Sequence, residues 1–370
     1  MMNSSMKLLV ISDYRDYLTS RPEAELLIGL QKAGVSVSVM TYPNTPHEDN
    51  FIRSGIKVIH FHPEKKRDRS AIKRIREDLI NGEYNLLHLF NSLASSNGIA
   101  AAKGLPVKVI LYRGYTGNIH WYDVTQYLKY FHPRVDSIFC INQEIENIFR
   151  RNKLFGKHKA ITIIKGHNPD WYAHVTPATL SEYGIPEQAF VVICVANVRP
   201  MKGIPVLLKS TQHLPPKLPI HFVFIGKGFE QQKIKTLIEQ SPYSSKIHLL
   251  GFLENPLPLV AASSLFVLPS IKGEGLSKST IEAMSLGKPV VITKIPGNTD
   301  LVEDGKSGIL VPPGDPASLA EAIMRIYNDE SMKENMGKQA KDRMHTTFHI
   351  EKTIAELKAH YLFLLNESGR

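Results

Sequence analysis

Short runs of apolar, β-prone residues alternate along the chain with longer amphipathic stretches. Residues 7–12 (KLLVIS) form the first such run and predict a strand. Ser20-Arg21-Pro22-Glu23 then has capping-box spacing, with proline near the first turn, and predicts a helix start. Gly34 closes that helix, and 35–41 (VSVSVMT) is the next predicted strand. Further strands are expected at 57–61, 86–90, 107–111, 137–141 and 160–164. The pattern then restarts with a strand at 190–195, a turn, and a helix from about Gly203. Strands at 221–225, 247–250, 265–268, 289–293 and 309–311 follow, and residues 316–365 are expected to be helical. Such alternation implies parallel sheets covered on both faces. Two series in 370 residues predict an α/β protein of two doubly wound, Rossmann-like domains. Pro169 and Pro177 place the linker between Gly166 and Pro186.

The length suits two domains of roughly 150–200 residues each. No window reaches the roughly 20 unbroken apolar residues of a membrane span, and the apolar run after Lys7 is too short for a signal peptide. The two cysteines, Cys140 and Cys194, sit in apolar strand-like runs and read as buried thiols. No Cys/His spacing suggests zinc, and a cytoplasmic location is expected. The net charge of +10 is uneven. Residues 1–170 hold 24 Lys+Arg and 16 Asp+Glu (+8), leaving 21 and 19 (+2) for the rest. The N-terminal half therefore carries the basic surface and favours anionic partners.

The richest segment is PSIKGEGLSKSTIEAMSLGKPVVIT, residues 269–293. A strand ends at Pro269-Ser270, a loop carries Glu274, and a helix is expected from near Ser277 to Gly287. Glu282 then lies eight residues beyond Glu274, so two carboxylates flank a helix N-terminus, which favours anions. Gly275 allows close approach of a ligand, and carboxylates accept paired hydrogen bonds from vicinal hydroxyls. Ser279-Thr280-Ile281-Glu282 also has capping-box spacing, so Glu282 has a purely structural reading as well. A second element favours the ligand reading. The strand at 190–195 runs into Arg199-Pro200-Met201-Lys202-Gly203, two cations just before a helix, which suits a diphosphate. Phe224-Ile-Gly-Lys-Gly228 adds a glycine turn between strand and helix.

Together these segments resemble the retaining glycosyltransferases of family 4, which have the two-domain GT-B fold. The resemblance rests on Arg199 to Gly203, Phe224 to Gly228, Gly251-Phe252, Glu274-Gly275-Leu276 through Glu282-Ala283-Met284, Gly287-Lys288-Pro289 and Gly308 to Val311. It covers roughly residues 190–345; residues 1–165 match only in general layout. It implies an N-terminal acceptor-binding domain over 1–168 plus about 350–370, a donor-binding domain over 169–349, a central cleft, and a C-terminal helix crossing back to the first domain. It also implies that Arg199 and Lys202 bind the donor diphosphate, that Glu282 holds the ribose, and that Glu274 meets the transferred sugar. Gly275, Leu276 and Ser277 would lie beside the sugar and phosphates. No Asp-x-Asp occurs, so no metal or other cofactor is expected.

Many relatives carry glycines in the first loop and a histidine after the strand corresponding to 107–111. This chain has Asp13 to Ser20 without glycine, and Arg113 in the histidine's place, with His120 as a stand-in. Asp300 replaces a glutamate usual before the Val-x-x-Gly segment.

On the acceptor side, residues 65–76 (KKRDRSAIKRIR) hold seven basic residues and one acidic. Residues 149–160 mix five Lys/Arg with Phe149, Leu154 and Phe155. Such stretches suit an anionic membrane surface. The reading is a metal-independent enzyme, peripheral on the inner membrane face, moving a sugar from a UDP-sugar in preference to a GDP-sugar onto a cell-envelope, lipid-linked or polysaccharide glycan. The alternatives are another GT-B sugar-nucleotide enzyme, an inverting transferase or an epimerase, and a non-enzymatic nucleic-acid or membrane binder. Product anomer analysis separates the enzymes. No nucleic-acid-binding motif is present, and no G-x-G-x-x-G follows the first strand as a dehydrogenase would require.

Overall fold

The structure, a computed structural model, describes residues 5–116, 119–120, 122–151 and 159–367. It divides into two compact units, Met1–His167 with Phe348–Arg370, and Asn168–Thr347. In the first, β1 (Lys7–Ile11), α1 (Tyr17–Lys32), β2 (Ser36–Thr41), α2 (Glu48–Arg53), β3 (Lys57–His60), α3 (Arg69–Asn81) and β4 (Leu86–Leu89) follow one another. Then come α4 (Ser92–Ala101), β5 (Lys108–Arg113), α5 (Val124–Tyr127), β6 (Ser137–Cys140), α6 (Gln143–Arg150) and β7 (Ala160–Thr162). The second unit holds β8 (Phe190–Val195), α7 (Ile204–Ser210), β9 (Ile220–Ile225), α8 (Gln232–Glu239), β10 (Ile247–Leu249), α9 (Leu257–Ala262) and β11 (Leu265–Leu268). It continues with α10 (Lys278–Ser285), β12 (Val290–Thr293), α11 (Asn298–Leu301), β13 (Ile309–Val311), α12 (Pro316–Asn328) and α13 (Glu330–Thr346). The last helix, α14 (Ile350–Asn366), belongs to the first unit.

Both sheets are parallel throughout, as the two series of strands predict. The first has seven strands in the order β3-β2-β1-β4-β5-β6-β7, and the second six in the order β10-β9-β8-β11-β12-β13. Central strands such as β4 and β9 are buried at every residue, because helices cover both faces of a parallel sheet. In each unit the chain winds outward over three strands and then returns beside the first. The strand order thus reverses between β1 and β4, and again between β8 and β11. Loops diverge at such switch points and leave a crevice beyond the strand ends where ligands bind. Both cysteines are buried, which pushes the Cys194 thiol up to about 12 and the Cys140 thiol up as well.

Two helix boundaries depart from expectation. The first helix begins at Tyr17, not Ser20, capped by Asp16, whose carboxylate accepts from the Thr19 amide at 2.8 Å. Ser20 is already helical and donates back to Asp16 O. Glu23 is 7% exposed and accepts from the Tyr14 hydroxyl at 2.6 Å, so it serves the core and not a cap. The helical tail expected over 316–365 is three helices, interrupted at Asp329, which caps α13 through the Met332 amide, and again between α13 and α14.

In α14, Ile350, Ile354, Leu357, Tyr361 and Leu364 recur at helical spacing, and all five are buried in the core of the first unit. The helix docks closely on α1 because a Cβ on Gly29 would lie 2.1 Å from Ile354 Cδ1. Two buried polar contacts fix its register. His88 Nδ1 and the Tyr361 hydroxyl share a hydrogen bond at 2.7 Å, and His360 Nε2 and Ser137 Oγ share another at 2.7 Å. Among the described residues His88 Nε2 has no partner, though it is buried. Burial, reinforced by the charge on His360, holds His88 down to about 3, and burial holds His360 down to about 4, against an ordinary value of 6.5. Between those values and 6.5 the unfolded chain binds protons that the folded chain excludes, so stability falls as pH falls. Urea unfolding at a series of pH values should show a loss of about 1.4 kcal/mol per pH unit for each histidine below pH ~6. His360→Gln should remove one of the two contributions; an unchanged slope would assign the acid sensitivity to other groups.

Candidate active site

At the switch point of the second sheet, three strand-end loops are laced together. Beyond β8, the Val198 amide donates to Lys227 O at 2.8 Å, and Asn197 Oδ1 accepts from the Lys227 amide at 2.8 Å. These bonds tie that loop to the glycine turn after β9. On the other side, the Ile271 amide, beyond β11, donates to Met201 O at 2.7 Å. Gly203 has φ +65° and passes so close to β11 that a Cβ would lie 1.9 Å from Pro269 O. Only glycine combines that backbone angle with that approach.

The lacing brings Lys202 to Glu274. Lys202 Nζ lies 2.6 Å from Glu274 Oε1, and Ser270 Oγ donates to the same oxygen. Glu274 is 6% exposed, while the Lys202 side chain keeps 22% of its surface. Arg199 opens the short 3-10 turn Pro200–Lys202. It is exposed, and its side chain makes no hydrogen bond among the described residues.

Helix α10 begins at Lys278 with Ser277 as its cap, accepting from the Thr280 amide. Glu282 is therefore the fifth helical residue and too deep to cap, which removes the capping-box reading. It is 7% exposed and pairs with Lys278 one turn earlier. Burial raises its carboxyl above the usual range, and the Lys278 charge opposes that rise. Gly275 and Leu276 form the half-buried turn between Glu274 and this helix. That turn rests on Gly297, whose φ is +87° and whose Cβ, if present, would lie 1.8 Å from Gly275 O.

The expected residues thus divide in two. Arg199, Lys202, Glu274, Gly275, Leu276, Ser277 and Glu282 sit on loops and one helix at the C-terminal edge of the second sheet. Arg113 and His120 belong to the first unit. Arg113 ends β5, is 3% exposed, and donates from Nε to Tyr115 O at 2.8 Å and from Nη1 to the Tyr130 hydroxyl at 3.0 Å. His120 is exposed and stacks on Tyr122 at 5.0 Å. Sequence reasoning did not single out Ser270 or Lys278, the immediate partners of the two glutamates. The Lys278–Glu282 spacing of four was the available signal for the second. Asp300 accepts through its backbone carbonyl from Arg343 at 2.9 Å. Among the described residues no group of three or more His, Cys, Asp or Glu is placed to hold a metal ion, and no helix is long and apolar enough to cross a membrane.

Two parallel doubly wound units, with cations and carboxylates gathered at a switch point, define the GT-B class. Family models confirm it in sequence: "Glycosyl transferases group 1" matches residues 176–343 and "Glycosyltransferase Family 4" matches residues 24–171. The chain belongs to family 4 of the glycosyltransferases. Curated relatives include N-acetyl-alpha-D-glucosaminyl L-malate synthase of Bacillus anthracis, 26% identical over 186 residues, which are 50% of this chain and 49% of that one. The capsular polysaccharide biosynthesis glycosyltransferase CapM of Staphylococcus aureus is 29% identical over 191 residues, 48% of this chain and 47% of that one. The match thus spans about half the length of each of these relatives. In three dimensions the chain is similar to Anabaena HepE solved in complex with UDP, with a TM-score of 0.78 and 19% identity over 96% of this chain and 99% of that one. A glycosyltransferase of Rickettsia africae gives a TM-score of 0.82 at 16% identity, over 98% and 99% of the two chains.

The seat of the Gly275 turn can be tested directly. Gly297→Ala forces a Cβ against Gly275 O at a positive φ, and should cost about 1–3 kcal/mol in urea unfolding. A neutral result would show that the turn is not held there.

Proposed function

We propose that the protein transfers a glycosyl group, with retention of configuration, from a nucleoside diphosphate sugar to a cell-envelope, lipid-linked or polysaccharide glycan. A UDP-sugar is favoured over a GDP-sugar, in line with the UDP complex of the structurally similar HepE. The observation that carries the reading is the Lys202–Glu274 pair joining the ends of β8 and β11 at the switch point.

In the donor-free protein these opposite charges satisfy each other. A nucleotide sugar offers each a better-matched partner. Its diphosphate takes Lys202, together with exposed Arg199, and a sugar hydroxyl takes Glu274. The turn 275–277 and the N-terminus of α10 lie beside the same groups and favour negative charge. Glu282, buried beside Lys278, accepts from the ribose hydroxyls. In the reaction the bond from the anomeric carbon to the diphosphate oxygen breaks, and a bond to the acceptor oxygen forms. The acceptor's hydroxyl proton passes to the departing diphosphate or to solvent. Arg199 and Lys202 stabilise the charge that develops on the leaving oxygen, an effect worth roughly 3 kcal/mol per well-placed group. Two cations, Arg199 and Lys202, supply what a divalent metal would otherwise supply, so the transfer is metal-independent.

We place the acceptor on the first unit and the enzyme at the inner membrane face as a peripheral protein. Of the basic stretches, 65–76 lies within the described residues. In 149–160, residues 152–158 lie outside them. The first stretch is not a uniform basic face. Arg74 pairs with Asp78 at 2.9 Å, and Arg76 donates to Ala101 O and Lys103 O.

Thermal melting with UDP, GDP, ADP and CMP, for wild type and Glu282→Ala, tests the donor site. The matching nucleotide at about a hundredfold its Kd should stabilise the wild type by about 2.7 kcal/mol, and the Glu282→Ala shift should vanish. No shift with any nucleotide in a folded sample would remove the donor-binding reading.

A further inference from the structure

Loops beyond β3, β4 and β5 of the first sheet line a cavity of about 390 Å³. Among the described residues its wall carries four cations, Lys66, Arg67, Arg113 and Lys129, and no carboxylate. The neighbouring acids are turned to other work. Asp68 caps α3 by accepting from Ser70 and Ala71, and Asp123 caps α5 by accepting from Thr125. Like charges converging on one cavity repel, and that arrangement is relieved by an anion entering it. The field extends beyond the wall. His132 is held below the usual histidine range first by burial and then by the charges of Arg134, Arg67, Lys159 and Lys103.

Two of the cations are held against aromatic rings. Arg113 is 3% exposed, bonded to Tyr115 O and the Tyr130 hydroxyl, with its guanidinium 3.6 Å from the Tyr115 ring centre. Its fork is thereby oriented in advance. Lys129 Nζ sits 4.6 Å from the Tyr130 ring centre. Arg67 has φ +53°, a left-handed conformation unfavourable for any L-residue that carries a Cβ. The backbone around it is clamped. The Arg67 amide donates to Ser96 Oγ at 3.2 Å, the Asp68 amide to Asn97 Oδ1 at 2.8 Å, and Asn97 Nδ2 to Lys65 O at 2.8 Å. Strain of this kind gathers at binding sites. Ser92 adds a hydroxyl to the wall, and Tyr115 and Leu128, 48% and 47% exposed, give it an apolar rim.

We propose that this cavity binds the phosphate of a phosphorylated acceptor. The proposal rests on the transferase reading above for the word acceptor, and on the cavity alone for the phosphate. Four cations and a hydroxyl suit the three oxygens and double charge of a phosphate ester, and the rim takes the organic part next to it. The basic stretch at 65–76 is then divided in use. Lys66 and Arg67 line the cavity, while Arg74 and Arg76, further along α3, are bonded to their own surroundings.

The test is calorimetric titration of the full chain with glycerol 3-phosphate, and in parallel with the matching nucleoside diphosphate. Lys66→Glu and Lys129→Glu replace exposed and half-buried side chains, and thermal melting confirms that they fold. Each should weaken glycerol 3-phosphate by about tenfold or more and leave nucleotide binding unchanged. Lys73→Glu, in the same basic stretch but off the cavity, and Arg199→Ala, in the other unit, should leave glycerol 3-phosphate binding unchanged. Nucleotide binding without glycerol 3-phosphate binding, or binding indifferent to both cavity variants, overturns the proposal. Glycerol 3-phosphate binding without nucleotide binding upholds the cavity and overturns the donor reading. Vesicles of equimolar phosphatidylglycerol and phosphatidylcholine identify the source. Flotation that glycerol 3-phosphate competes away and Lys66→Glu abolishes supports a lipid headgroup. Glycerol 3-phosphate binding without flotation supports a water-soluble phosphate ester. Flotation untouched by either variant, with no glycerol 3-phosphate binding, assigns the charge to a flat surface and overturns the proposal.

Discussion

A nearly buried carboxylate at the end of a parallel strand needs a cation, and in this protein the cation comes from the neighbouring strand's loop. Glu274 lies beyond β11 and Lys202 beyond β8, and they meet at 2.6 Å because β8 and β11 are neighbours at the point where the sheet reverses. A buried charge that loses its partner is costly, so the pair constrains both loops. The Ile271–Met201 backbone bond and the contact of Gly203 with Pro269 hold the loops where the pair can form. On the proposed reading each of these charges matches part of a nucleotide sugar, which makes the constraint exchangeable for a ligand.

Much of this was legible in the chain. Largely apolar runs such as 190–195 and 221–225 identify buried parallel strands, because both faces of such a sheet are covered. Glu274 and Glu282 stood out because they bracket a helix start, and Arg199 and Lys202 because they follow a strand. The residues alone left Glu282 with two readings. Ser277, not Ser279, caps α10, and only the observed helix start decides between them. The same kind of ambiguity misplaced the first helix. Ser20 and Glu23 have capping-box spacing, but Asp16 offers a carboxylate to the Thr19 amide, and Glu23 is drawn inward by the Tyr14 hydroxyl. Local spacing cannot register a partner that tertiary packing supplies.

The cavity of the first unit was illegible for a related reason. Its cations come from residues 66, 67, 113 and 129, which are scattered in sequence and joined only by the order of β3, β4 and β5. The basic stretch at 65–76 drew attention as a run of charge. Its members prove unequal once Arg74 and Arg76 are seen bonded to their own surroundings. Arg113, noted only for standing in place of a histidine, becomes the most deeply placed of the four cations. Both units thus gather charged side chains at the C-terminal edge of a doubly wound sheet, with mixed signs around Glu274 in the second unit and four cations lining the cavity of the first.

The proposed exchange of partners at Lys202 and Glu274 is tested most directly by comparing the affinities of the matching nucleoside diphosphate and of its sugar in Lys202→Ala and Glu274→Gln. Lys202→Ala should weaken both ligands. Glu274→Gln should weaken the nucleotide sugar by about tenfold and leave the bare nucleotide as tight as before or tighter, since Lys202 is released to the diphosphate. Equal losses of nucleotide and nucleotide sugar in Glu274→Gln would contradict the account, because Glu274 would then hold the loops together without meeting the sugar.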